Sequence, residues 1–212
     1  MVESPLILLI TPGLNISEST ASSCCKQLTD KLAAGFHNEL GKSPQVYLSE
    51  YAQAVLDVAG RNPTPQDLVA LVEPRIPFRR QLELLKVALD PAVYAFPKQP
   101  VADRPYGVVL KVVDRTFPEI GGLRLGGMVE GLPPDLRAAT PFEGINGDME
   151  EIVRRSFVAM PGGEVCPTSG FQTGLNGRFS IPCLETYLGQ PRVSYIHPSS
   201  SDGLVGVLAA IR

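Results

Sequence analysis

Two residues of this 212-residue chain have the chemistry for covalent catalysis, Cys166 and His197. Cys166 sits in Gly162-Gly-Glu-Val-Cys-Pro-Thr-Ser-Gly170, a glycine-rich loop with few bulky side chains. A thiolate becomes an effective nucleophile beside a base, and the base works best when a third group orients it. His197 is the candidate base, with Asp202 or Asn176 as the third group. Such groups meet in space rather than in sequence, so the spacing permits the pair without specifying it. A lone thiol is equally an ordinary small core residue.

The same region carries a second reading, in which the chain binds a molecule without transforming it. His197-Pro-Ser-Ser-Ser-Asp-Gly203 places Ser199, Ser200, Ser201 and Asp202 in one small-residue loop, directly after a strand expected at Val193–Ile196. Loops at strand ends are where rigid scaffolds present functional groups. Between residues 162 and 178, glycines alternate with Thr168, Ser169, Gln172, Thr173 and Asn176, a composition that wraps a ligand with backbone amides. Arg178 closes that stretch with a guanidinium suited to a carboxylate or phosphate. The leading expectation is therefore a small-molecule partner, polar in character, held between the 162–178 and 197–203 loops. Two alternatives stand beside it. One is a small hydrolase or transferase using Cys166 and His197. The other is a structural or assembly subunit that self-associates into a homo-oligomer.

Other candidates have plainer readings. Phosphate-loop, dinucleotide, nucleophile-elbow and zinc-helix signatures are absent, and no cofactor is indicated. No Cys-x-x-Cys pair suggests a metal, and Cys24, Cys25 and Cys183 lie in apolar stretches that read as core, all as free thiols. His37, after Phe36, suits the negative end of a helix. Arg75, Arg79 and Arg80 form the one dense basic group, read as a solvated face on which Arg79 and Glu83 pair, with an anion or partner site as the alternative. Asn146-Gly147-Asp148 reads as a turn entering a helix cap.

The elements that position these residues follow from periodicity and glycine use. Only four of the 20 glycines precede residue 101. Glycine disfavours helix interiors and serves turns and bulges. The first half should therefore be helical, and the second half strands and loops. Apolar positions from Ala21 through Leu28 and Leu32 to Phe36 predict one helix capped at Asn15. Ser43-Pro44 starts another, ended near Gly60; Thr64-Pro65 opens a third to about Val72; Phe78, Leu82, Leu85 and Leu89 mark a fourth. Asp148-Met-Glu-Glu151 caps a helix in the second half. Strands are expected at Leu6–Thr11, Tyr106–Arg115, Leu123–Glu130, Phe179–Leu184, Val193–Ile196 and Leu204–Ile211. The last is apolar on both alternating faces, the pattern of a central strand.

The fold expected is α+β: a helical layer from the N-terminal half on a mixed β-sheet built mainly from the C-terminal half. We read residues 1–212 as a single domain, with a helix-rich segment over 1–96, a connector over 97–105 and a strand- and loop-rich segment over 106–212. A net charge of −3, no tryptophan and 7% aromatics argue against a nucleic-acid partner. No apolar run approaches membrane-spanning length and no basic leader precedes Leu6, so a cytoplasmic protein with no membrane partner is expected.

Overall fold

The computed structural model describes residues 16–90, 97, 100–113, 131–155, 157–160, 162, 172–173, 178–179, 181–196 and 205–212. The fold is α+β, with helices in the N-terminal half and a curled mixed sheet whose strands come mostly from the C-terminal half. Helices α1 (Glu18–Ala33), α2 (Phe36–Glu39), α3 (Pro44–Glu50) and α4 (Ala52–Gly60) come first. Strand β1 (Leu68–Val72), helix α5 (Phe78–Leu85) and strand β2 (Ala88–Leu89) follow. The second half supplies β3 (Tyr106–Val113), β4 (Leu136–Ala138), α6 (Pro141–Asn146), α7 (Met149–Arg155), β5 (Phe157–Ala159), β6 (Gln172–Thr173), β7 (Arg178–Phe179), β8 (Ile181–Tyr187), β9 (Gln190–Ile196) and β10 (Val205–Ile211). Among the described residues no helix is long and apolar enough to cross a membrane.

The main sheet runs β1-β3-β10-β5-β8-β9-β2, with β4 beside the C-terminal half of β10. The apolar C-terminal segment is indeed central: β10 pairs antiparallel with β3 and β4 and parallel with β5. Its alternate side chains enter different cores. Leu208 and Ala210 pack with Phe142, Ile145 and Ile152, while Val207 and Ala209 pack with Val113, Leu136 and Ile181.

Alternation organises the other end of the sheet too. Leu68, Ala70 and Val72 of β1 face α5 and α6, whereas Val69 and Leu71 face α1, α3 and α4. Helices thus cover both faces of the β1–β3 pair. Contact with α4 is close: a Cβ on Gly107 would stand 2.0 Å from the Ala54 carbonyl oxygen, so only glycine fits there.

Four local expectations need correction. The single helix expected from Ser43-Pro44 to Gly60 is two, α3 and α4, divided at Tyr51. Residues 64–72 do not form a helix. Thr64 donates its backbone N–H and hydroxyl to Asp67 Oδ2 in a turn, and Leu68–Val72 is a strand buried at all five positions. A short run of consecutive apolar residues fits a doubly covered strand as well as a helix, and here tertiary pairing with β3 decides. The first helix is capped by Ser17, whose side chain accepts from Thr20 N, and it stops at Ala33; Phe36 and His37 belong to the separate short α2. Leu89 lies in β2, because α5 ends at Lys86 in the left-handed region with φ 56°. Helix α6, not anticipated, carries a full capping box between Thr140 and Glu143 with Pro141 in its first turn. The expected strands at Leu6–Thr11 and Leu123–Glu130 lie outside the described residues.

Candidate functional site

The structure contains a groove of about 420 Å³ between α1, the end of α5 and the α6–α7 junction. That volume lies within the range of small-molecule sites. Its walls follow from two features of α1. The buried stripe of this helix is Thr20, Ala21, Cys24, Gln27, Leu28 and Lys31, so two long polar side chains stand where apolar ones would ordinarily be.

Gln27 uses its amide as a piece of strand. Its Nε2 donates to Val69 O at 2.8 Å, and its Oε1 accepts from Leu71 N at 2.9 Å, closing the outer edge of β1. Lys31, one turn later, is 2% exposed and lines the groove. Its ammonium has no ion-pair or hydrogen-bond partner among the described residues. The nearest aromatic surface is Phe36, whose ring centroid is 5.6 Å from Nζ. Burial pulls the pKa of Lys31 down to about 8, against the opposing pull of the Glu73 and Asp30 carboxylates.

The facing wall is Asn146, the last residue of α6. This helix is anchored by Arg137, which holds the buried Glu143 carboxylate in a fork at 2.9 and 2.6 Å. Gln81 Nε2 donates to the carbonyls of Glu73 and Ile76, so its Oε1 must accept. Asn146 Nδ2 donates to that Oε1 at 2.7 Å and to Phe142 O at 2.9 Å. The amide orientation is thereby fixed, and Asn146 Oδ1 is left as a buried acceptor with no partner among the described residues.

Lys86 stands on the rim. Val87 N donates to Leu82 O, completing a Schellman turn at the end of α5, but a lysine occupies the left-handed position that glycine favours. A non-glycine residue held there is strained by roughly 1–2 kcal/mol. Lys86 is exposed and has no carboxylate partner among the described residues. Lys26, by contrast, is held by Asp30 at 3.4 Å and Asp148 at 3.7 Å. The groove is thus lined by two lysines, Lys31 and Lys86, without ion-pair partners among the described residues, and by Asn146, whose Oδ1 is buried and unpartnered among them.

A second polar cluster is self-contained. Tyr47 and Tyr51 hydroxyls are 2.9 Å apart, and Tyr51 donates to Glu73 Oε2 at 3.2 Å. Arg75 clamps the fully buried Glu73 carboxylate at 2.6 and 2.7 Å and also reaches Glu50. The expected basic group is consequently neutralised: Arg75 pairs with Glu73 and Glu50, Arg80 with Glu39 and Glu83, and Arg79 with Glu83. It presents no free anion site.

Cys166, His197, Ser199, Ser200, Ser201, Asp202 and Asn176 lie outside the described residues. Strand β9 ends at Ile196, immediately before His197. Arg178 opens β7, which pairs antiparallel with β6, so Gln172, Thr173 and Arg178 of the 162–178 stretch are strand rather than loop. Cys24 and Cys183 are buried free thiols and Cys25 is half-buried. Desolvation pushes the Cys24 thiol up to about 12 and the Cys183 thiol well above its ordinary value, so neither is an activated nucleophile. Asn146-Gly147-Asp148 does enter a helix through a cap, Asp148 accepting from Glu151 N at 3.3 Å, but Asn146 also lines the groove. The sequence signal for the groove was Lys31 itself, three residues past Leu28 on an apolar stripe. Comparisons with protein-family models, with curated proteins and with solved structures find no match.

Proposed function

We propose that the protein binds a small polar ligand, anionic or carbonyl-bearing, in the groove between α1, the end of α5 and the α6–α7 junction. The observation that carries this reading is Lys31, buried at 2% exposure on the wall of a cavity with no ion-pair partner among the described residues. A buried ammonium without a direct ion-pair or hydrogen-bond partner is costly, and such costs concentrate at sites that meet a ligand. Lys86, strained and without a carboxylate partner among the described residues on the rim, and the buried, unpartnered acceptor of Asn146 point to the same place. An oxygen of the ligand meets the lysines and a hydroxyl or amine of the ligand meets Asn146.

The test is a thermal-shift screen of small carboxylates, carbonyl compounds and polyols against wild type, Lys86→Gly and His197→Ala. A ligand at 100 times its dissociation constant stabilises by about 2.7 kcal/mol. Lys86→Gly should raise the baseline melting temperature and shrink the ligand-induced shift, two changes of opposite sign that no loss of folding produces. If His197→Ala abolishes the shift while Lys86→Gly leaves it unchanged, the site belongs to the 162–178 and 197–203 loops and the groove reading is wrong.

A further inference from the structure

We propose that Lys31 captures its ligand covalently: a small aldehyde or 2-oxo acid entering the groove condenses with the ε-nitrogen to form an imine. This chemistry rests on the groove being the ligand site and adds the nature of its occupant. Three features favour it. Lys31 is a buried residue of the groove lining and not an open-surface lysine, so a carbonyl bound in the groove is held near it rather than meeting it by collision. No carboxylate grips the nitrogen among the described residues, so its lone pair is not tied into an ion pair. The groups that act on it arrive from three places: Asp30 on α1, Phe36 on α2 and Glu73 after β1. Their balance leaves a desolvated amine with a far larger neutral fraction near pH 7.5 than an ordinary lysine has, and the neutral amine is the nucleophile. Lys86, on the same groove, supplies a cation for the carboxylate of a 2-oxo acid.

The step balances without an oxidant or reductant. The nitrogen lone pair forms a C–N bond while the carbonyl π pair moves onto oxygen. The resulting carbinolamine loses that oxygen as water, together with both amine hydrogens, and a C=N bond remains.

Three probes test it: glyoxylate, propionaldehyde and glycolate, which has the carboxylate but no carbonyl. Each is incubated with the full chain and sodium cyanoborohydride at pH 7.5, followed by intact mass and peptide mapping. We expect glyoxylate to label Lys31 at least tenfold faster than Lys26, Lys42, Lys86, Lys98 or Lys111, glycolate to give no adduct, and Lys31→Arg to lose the fast adduct. Preferential labelling by propionaldehyde as well would assign the site to aldehydes generally; labelling by glyoxylate alone would assign it to 2-oxo acids. Adducts confined to the other lysines would overturn the proposal. Thermal shifts measured in parallel without the reductant separate the two readings. If glyoxylate and glycolate both stabilise the protein but no Lys31 adduct forms, the groove binds and the imine is wrong. If neither stabilises nor labels, both readings fall.

Discussion

Replacing Lys31 with methionine should stabilise the protein, although the change removes a charge from a helix and touches the centre of the candidate site. In the folded chain burial lowers the Lys31 pKa from 10.5 to about 8. Each pKa unit is about 1.4 kcal/mol, so below pH 8 the buried ammonium costs about 3 kcal/mol relative to the unfolded chain. Methionine keeps an unbranched stem against Phe36 and carries no charge. For a chain of this size 1 kcal/mol moves the melting temperature by roughly 2–4 °C, so Lys31→Met should melt roughly 6–12 °C higher at pH 7. The sign of the pH dependence is equally defined. The folded value is depressed, so wild-type stability from this group is present above pH 10.5 and is lost as pH falls through 8. The gain from the substitution is therefore complete at pH 7 and shrinks to about 1 kcal/mol at pH 9.5. Thiols and tyrosines with raised values, among them Cys24, Cys183, Tyr47 and Tyr51, are common to both proteins and cancel in the difference. Urea denaturation at the two pH values measures it. A variant less stable than wild type at pH 7, or a difference that does not change with pH, would refute the claim that desolvation of this ammonium outweighs the pull of the Glu73 and Asp30 carboxylates.

Lys86→Gly should stabilise by about 1 kcal/mol, since glycine adopts the left-handed turn after α5 without penalty; a denaturation midpoint at or below wild type would show that the turn is not strained. Gly107→Ala should cost several kcal/mol and expose hydrophobic surface to dye, because its Cβ would overlap the Ala54 carbonyl and push α4 off β3; a difference under about 1 kcal/mol would mean that α4 yields easily. Deleting residues 204–212 should prevent folding. Val207 and Leu208 alone lose roughly 1.5–3 kcal/mol each, and three neighbouring strands lose their partner. A truncated chain that keeps its circular dichroism would place the stability elsewhere.

What the sequence disclosed about the fold came from signals with one physical meaning. The shift in glycine content separates helix-rich from strand-rich halves because glycine is poor in helices, and Ser43-Pro44 starts a helix because a hydroxyl acceptor and a fixed φ both suit its first turn. The apolar run at the C-terminus reads as central because both its faces must be covered. Leu68–Val72 failed for lack of such a signal: five consecutive apolar residues have no period, and only the antiparallel register with Tyr106–Val113 makes them a strand. Helix α6 was legible in principle, since Thr140-Pro-Phe-Glu143 spells a capping box with a first-turn proline, but six residues give too little periodicity to draw attention.

The groove was less legible than any element, for a reason that applies beyond this chain. A search for chemistry in a sequence is drawn to residue types with familiar roles, such as a cysteine in a glycine-rich loop or a histidine at a strand end. Lys31 has no such familiar role; its one mark in the sequence is its place on the apolar stripe of a helix. Its character comes from position, three residues past Leu28 and four past Gln27 on the buried stripe, where the fold removes water from its ammonium and no carboxylate of the described residues forms an ion pair with it. The same holds for Asn146 and Lys86. One carries a buried, unpartnered acceptor because Gln81 fixes its amide, the other becomes a strained rim cation because α5 stops there. Each is ordinary alone, and each departs from a local rule of burial, hydrogen bonding or backbone conformation on the walls of one cavity. Three independent departures meeting in one place are what a ligand site requires, since its own groups stay unsatisfied until the ligand supplies their partners.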